Sequence, residues 1–256
     1  MNVMLKKIQH YLLCSLVVFV VFGCATQQKY TEKNNENLKK RAQAHTDLGA
    51  IYYQENQLEI ALEEFTEATN IDPSFGLAFN GLGLVNARLG QDEMAETHFK
   101  KSIQLEPTNS ESRNNYGSFL CARNRADEAI TQYLEAVKNP LYLTPQVAYT
   151  NAGICAKLKA DAVSAESYFQ KALQFDPLFH MAAYQLASVQ FKRNDAVAAK
   201  KSLQNALLDQ PSAEMLWLAV QIERAVGDKD NEASYALQLK RQYPSSAQTK
   251  LLLSGS

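Results

Sequence analysis

Small and large apolar residues recur along the chain at an interval of about 34 residues. Alanine stands at six positions separated by 34, 34, 36, 34 and 34 residues: Ala61, Ala95, Ala129, Ala165, Ala199 and Ala233. Four residues after each comes an aromatic residue or a leucine: Phe65, Phe99, Tyr133, Phe169, Leu203 and Leu237. Residues at i and i+4 share one face of an α-helix. The pattern therefore predicts six helices with the same buried face.

A second helix in each unit is indicated by a small residue twelve positions before the alanine. These residues are Gly49, Gly83, Gly117, Gly153 and Ala187. A small side chain lets two helices approach closely, so each unit is predicted to be a packed helix pair. Proline cannot continue a helix, and six of the seven prolines fall near the unit ends. They are Pro73, Pro107, Pro140, Pro177, Pro211 and Pro244.

This arrangement resembles the tetratricopeptide repeat, a helix-turn-helix unit. The resemblance implies an all-α fold, a right-handed superhelical solenoid of six repeats. We predict the repeats at 42–75, 76–109, 110–143, 146–179, 180–213 and 214–247, with a C-terminal tail at 248–256. The sixth repeat departs from the pattern because Gln221 and Lys240 replace small residues, although Trp217 occupies its expected aromatic position. A polar last repeat suits a solenoid end that meets water.

Two extra residues separate the third and fourth repeats, in a segment that contains Pro140 and Pro145. Proline restricts the preceding residue to extended backbone, so the segment is predicted to be extended. It is either a neutral loop or a fixed bend between a block of three N-terminal repeats and a block of three C-terminal ones.

The N-terminus has the pattern of an export signal. Lys6 and Lys7 precede an uncharged stretch at 11–22, which would rise only about 18 Å as a helix and is too short to span a bilayer core of roughly 30 Å. Residues 21–24 resemble a bacterial lipobox, although Phe22 departs from the small residue expected there. The resemblance implies removal of 1–23 and acylation of Cys24, followed by a polar tether to residue 41. The alternative is a soluble periplasmic protein.

A lipid anchor would determine where the protein is located. Ala25 follows the cysteine, and in lipoprotein sorting a residue other than aspartate there implies the outer membrane of a Gram-negative bacterium, on its periplasmic face. Acyl chains contribute about 0.8 kcal/mol for each buried methylene, so a multiply acylated Cys24 would be held firmly.

Composition narrows the function further. Of 256 residues, 46% are hydrophobic and 21% are charged, which excludes wholesale disorder. The formal net charge of −1 gives no electrostatic reason to expect nucleic acid. The four histidines are scattered, and neither His45 nor His98 has a second ligand at metal-binding spacing. We therefore predict no metal, cofactor or small-molecule substrate, and no enzymatic activity.

Two cysteines remain after the signal and the lipid site are set aside. Cys121 and Cys155 lie in the first helices of the third and fourth repeats, which a solenoid stacks side by side. In an oxidising periplasm they form either a disulfide or two buried free thiols.

The first helices of such a solenoid line its concave side, where a partner binds. A mainly apolar stripe with interspersed amides and other polar residues follows these helices, and we predict that it forms a partner-binding groove for a protein segment with apolar anchors. The alternative is that these residues only support neighbouring repeats. The stripe contains Tyr53, Leu77, Asn80, Leu84, Glu111, Asn114, Ser118 and Thr150, and it continues through Ile154, Lys157, Met181, Tyr184, Ser188 and Phe191.

Four segments extend the resemblance beyond the repeat, at 113–120, 139–145, 148–155 and 216–218. They resemble blocks of the PilF/PilW family of type IV pilus biogenesis lipoproteins. The resemblance implies a pilotin, which binds the pilus secretin subunit at the outer membrane and promotes its localisation and multimerisation. The alternative is a general envelope scaffold for cell-wall or barrel-assembly machinery.

Overall fold

The computed structural model describes residues 35–255, and all regular structure in that stretch is helical. The predicted signal peptide, the lipobox, Cys24 and most of the tether lie outside these residues. The helices are α1 (35–54), α2 (Leu58–Ile71), α3 (Gly76–Arg88), α4 (Asp92–Leu105), α5 (Ser110–Ala122), α6 (Ala126–Ala136), α7 (Pro145–Leu158), α8 (Ala162–Phe175), α9 (His180–Lys192), α10 (Ala196–Leu203), α11 (Ala213–Val226), α12 (Lys229–Gln242) and α13 (Ala247–Leu253). A short 3₁₀ turn, Gln204–Leu207, follows α10.

The chain divides into two compact units, with the boundary after Pro107. The N-terminal unit contains the helix pairs α1–α2 and α3–α4. The C-terminal unit contains α5 to α13, and the proline-bracketed insertion lies inside it. The boundary therefore falls after the second repeat and not at the insertion.

Glycine and an aromatic ring form the central contact of the first four helix pairs. A Cβ atom on Gly49 would lie 2.9 Å from the ring of Phe65, and one on Gly83 would lie 2.7 Å from the ring of Phe99. The same Cβ on Gly117 would come within 2.8 Å of Tyr133, and on Gly153 within 2.5 Å of Phe169. Real Cβ atoms do not approach other atoms this closely, so each contact requires glycine.

A residue with left-handed backbone follows the first helix of every pair and turns the chain into the second helix. These residues have φ between 62° and 81°, and they are Asn56, Gly90, Asn124, Ala160, Asn194 and Gly227. Their spacings are 34, 34, 36, 34 and 33 residues, so the last interval is one residue short.

The sixth repeat is shifted by one residue relative to the predicted pattern. One residue corresponds to about 100° of rotation on a helix, so a different face of α12 is buried. Ala233 and Leu237 are exposed, the latter by 51%, whereas Leu239 is fully buried. The prediction that Ala233 and Leu237 form the core of this repeat is therefore wrong.

Helix α13 packs at the end of the sixth repeat. Thr249 is buried and its hydroxyl donates a hydrogen bond to the carbonyl of Tyr243 at 2.7 Å. Leu252 packs against the cluster that contains Leu216 and Leu239. This short helix therefore covers apolar surface that another repeat would otherwise cover.

Candidate binding surfaces

The predicted groove residues of the N-terminal unit lie on α1 and α3. Leu77, Asn80 and Leu84 are spaced for one face of α3, and Arg88 continues that face by one turn. The guanidinium of Arg88 lies 5.1 Å from the ring centroid of Tyr53, and it donates a hydrogen bond to the Tyr53 carbonyl at 3.4 Å. This contact joins the two helices in one surface, which we call the N-terminal face.

The side chains of the N-terminal face differ in exposure. Tyr53, Leu77 and Leu84 are half-buried, so each keeps apolar surface in solvent. Asn80 is only 7% exposed, so little of this predicted contact residue is available to a partner. Tyr53 also packs against a core cluster that contains Phe65 and Leu82. The face is therefore a rigid, partly apolar surface.

The insertion forms one wall of a cleft of about 570 Å³ in the C-terminal unit. We call it the insertion cleft; its lining residues are Thr108, Asn109, Ser110, Glu111, Asn114, Asn115, Asn139, Leu141, Tyr142, Leu143, Thr144 and Val147. The predicted groove residues Glu111 and Asn114 are among them. Its polar lining includes four asparagine amides, which both donate and accept hydrogen bonds.

Hydrogen bonds fix the walls of the insertion cleft. The Asn139 amide donates to the Thr108 carbonyl at 3.1 Å, and its oxygen accepts the backbone N–H of Leu141 at 3.0 Å. Asn151 of α7 donates to the Asn114 side-chain oxygen at 3.1 Å. The insertion is therefore held against α5 as a defined wall.

Two leucines at the mouth of the insertion cleft extend into solvent. Leu141 is 82% exposed and Leu143 is 91% exposed, whereas burial raises the pKa of the Tyr142 hydroxyl between them. Exposed leucines are common when isolated, but two beside a cleft are typical of an interaction site.

The remaining two groove predictions do not fit this cleft. Thr150 is 2% exposed and its hydroxyl donates to the carbonyl of Gln146 at 2.7 Å, so it is a buried helix residue and not a contact residue. Ser118 is exposed but lies outside the cleft lining, where its hydroxyl accepts a hydrogen bond from Tyr133 at 3.2 Å. Burial raises the pKa of Tyr133 to about 12.

The two cysteines lie on the adjacent helices α5 and α7. Cys121 and Cys155 are joined as a disulfide, with their Cα atoms 5.8 Å apart. The bond and the Asn114–Asn151 contact both join the same two helices. The insertion cleft therefore rests on a crosslinked pair of helices.

A second cleft of the C-terminal unit, of about 470 Å³, is lined by residues of α7, α9, α11 and α13. We call it the C-terminal cleft; its lining residues are Lys157, Tyr184, Ser188, Phe191, Lys192, Glu214, Trp217, Leu218, Gln221 and Gln248. Trp217 and Gln221 are one turn apart on α11, and the shift of the sixth repeat places both on the cleft side of that helix. The predicted stripe continues beyond Thr150, and four of its further members line this cleft: Lys157, Tyr184, Ser188 and Phe191.

The described residues offer neither a metal centre nor a membrane span. Among residues 35–255, no group of histidines, cysteines and carboxylates is arranged to hold a metal ion. No helix in that stretch is long and apolar enough to cross a bilayer.

Comparisons with known proteins identify the repeat. Profiles of the tetratricopeptide repeat match residues 49–90, 78–109, 98–131 and 184–247. The chain is therefore a tetratricopeptide-repeat protein, and the predicted all-α repeat fold is confirmed.

The similarity to pilus proteins extends along nearly the whole chain. The type IV pilus assembly protein PilF of Pseudomonas aeruginosa is 29% identical over 228 residues, which cover 88% of this chain and 90% of PilF. The solved structure of PilF matches with a TM-score of 0.75 and 27% identity, over 86% of this chain and 100% of that one. The crystal structure of PilW, a widely conserved type IV pilus biogenesis factor, matches with a TM-score of 0.72 and 26% identity, over 83% of this chain and 98% of PilW. The chain is homologous to PilF and shares the fold of PilF and PilW.

Proposed function

We propose that this protein acts in type IV pilus biogenesis as a lipid-anchored pilotin of the outer membrane. The observation that carries the proposal is the match to PilF over 88% of this chain and 90% of PilF, because a shared repeat alone would match only part of each chain. The similarity to PilF and PilW supports a role in pilus biogenesis through protein interactions. Secretin binding, acylation of Cys24 and outer-membrane location are the finer parts of the proposal.

The N-terminal face is the surface that we propose binds the secretin. Tyr53, Leu77 and Leu84 keep apolar area in solvent beside the Arg88 guanidinium. Apolar anchors beside a hydrogen-bonding group suit a protein segment, since anchors supply affinity and polar groups supply orientation. The acylated Cys24 would carry the bound subunit to the membrane.

The test follows secretin assembly in cells. Deleting the gene should reduce the heat- and detergent-resistant secretin multimers in outer-membrane fractions. Complementation with Leu84→Glu should fail to restore them, because a charge replaces a half-buried anchor. Met94→Glu is the matched control: it adds the same charge at an exposed position on α4 and should restore the multimers fully.

Acylation is tested separately with Cys24→Ser. This variant should still co-purify with the secretin but leave it outside the outer-membrane fraction. Unchanged multimers after deletion would reject the pilotin role. If the deletion impairs cell-wall or barrel assembly and leaves the secretin multimers unchanged, the alternative function as a general envelope scaffold is supported.

A further inference from the structure

Two lysines give the C-terminal cleft an unbalanced positive charge. Within residues 35–255, neither Lys157 nor Lys192 forms an ion pair with a carboxylate. The Lys157 amino group donates to the side-chain oxygen of Gln185, which is neutral. Burial, and after it the charge of Lys192, lowers the pKa of Lys157. A half-buried cation beside a second cation favours an anionic ligand.

The acid in the cleft lining, Glu214, is hydrogen-bonded to neutral side chains. Glu214 accepts a hydrogen bond from Ser212 at 2.8 Å through one oxygen and from Gln248 at 3.2 Å through the other. It is exposed, and its charge contributes to raising the pKa of Tyr184, after burial. Glu214 forms no ion pair with either lysine, and one carboxylate against two ammonium groups leaves the cleft lining with a net positive charge.

Aromatic side chains form the rest of the cleft lining. Tyr184, Phe191 and Trp217 are half-buried, so each ring keeps part of its surface open to the cleft. Ser188 and Gln221 lie among them and offer hydrogen bonds. Rings beside polar groups are the usual lining of sites that bind protein segments, where aromatic anchors contribute most of the affinity.

We propose that the C-terminal cleft binds an extended acidic segment of a partner protein, in which a glutamate or aspartate adjoins an aromatic or large apolar residue. The carboxylate would pair with Lys157 and Lys192, and the apolar side chain would lie between Phe191 and Trp217. A volume of about 470 Å³ is in the range of sites that hold a few side chains. Two lysines in a chain of net charge −1 are too few for nucleic acid.

This site is independent of the proposed secretin contact. It lies in the C-terminal unit, whereas the N-terminal face lies in the other unit. The inference therefore stands even if the pilotin role fails, because it concerns what the cleft recognises and not which assembly supplies the partner.

The experiment uses Trp217, the only tryptophan in the chain, as a reporter inside the cleft. A random phage-displayed library of twelve-residue segments is first selected on the purified full-length protein. The selected segments are then synthesised without tryptophan. Each one is titrated into the protein while the fluorescence emission of Trp217 is followed. We expect selected segments to carry an acid next to an aromatic or large apolar residue and to shift the emission saturably. Glutamine in place of the acid should weaken binding at least tenfold.

Variants of the two lysines decide whether the cleft carries the binding. K157Q/K192Q should weaken binding at least tenfold and remove its salt dependence. K201Q/K240Q makes the same charge change at exposed positions outside the cleft and should leave binding unchanged. Circular dichroism checks that each variant is folded. Neutral or basic selected segments, an unshifted Trp217 emission, or equal affinity of the wild type and K157Q/K192Q would overturn the proposal.

Discussion

The third and fourth repeats are held together differently from the fifth and sixth repeats of the same unit. In the third and fourth, a glycine meets a ring and a disulfide joins the first helices. In the fifth, the same two positions hold Ala187 and Leu203, which share one core cluster. The packing of the third and fourth repeats therefore depends on the close fit of a glycine against a ring. The packing of the fifth repeat depends less on a single close contact.

A polar network joins the fifth and sixth repeats. Lys200 of α10 donates to Glu223 at 2.7 Å and to Asp228 at 2.9 Å, and Glu223 is buried in α11. Ion pairs between long side chains do not require the fixed sequence spacing that a glycine–ring contact requires. The sixth repeat can therefore shift by one residue. That shift places Trp217 and Gln221 in the C-terminal cleft. The less regular geometry of the fifth and sixth repeats therefore coincides with the C-terminal cleft.

The largest expected effect on stability comes from removing the disulfide that joins the third and fourth repeats. A bond between positions 34 residues apart limits the unfolded chain, which corresponds to about 4 kcal/mol by loop-closure entropy. Cys121→Ser with Cys155→Ser should therefore lower the free energy of unfolding by roughly that amount. Urea titration followed by circular dichroism measures the change.

Reductant provides the control for this variant. Dithiothreitol should destabilise the wild type as much as the double substitution does and leave the double variant unchanged. Equal stability of the wild type with and without reductant, or two alkylatable thiols at Cys121 and Cys155 in the folded protein, would contradict the prediction.

A smaller effect is expected when the glycine contact is replaced by the geometry of the fifth repeat. Gly153→Ala places a methyl group within 2.5 Å of the Phe169 ring, and such overpacking costs about 2 kcal/mol. Adding Phe169→Leu reproduces the alanine–leucine pair of the fifth repeat and should recover part of this loss. The double-mutant cycle is measured by urea unfolding. Strictly additive effects would mean that the ring does not determine the requirement for glycine.

The sequence predicted the regular repeats better than the binding surfaces. The glycine–ring contact has a fixed spacing, so Gly117 and Tyr133 can be paired from the order of residues alone. The register of the sixth repeat could not be assigned with the same rule, because Leu237 and Leu239 are both leucines and only packing shows which is buried. Exposure within a helix face also depends on tertiary packing, which is why the sequence pattern wrongly predicts Thr150 as a contact residue.

The smallest expected effect is the loss of stability at low pH that comes from the network of Lys200, Glu223 and Asp228. Hydrogen bonds from Lys200, and after it from Asn231, lower the pKa of Asp228 to about 2. An unfolded aspartate titrates near 3.9, so the stability that Asp228 contributes is present above about pH 4 and is lost as pH falls toward 2. Wild type should therefore lose more stability than Asp228→Asn between pH 5 and pH 2.5, by urea unfolding followed at Trp217. Asp209→Asn, at an exposed position, should behave like the wild type. Equal acid sensitivity of Asp228→Asn and wild type would show that the network does not stabilise the last two repeats.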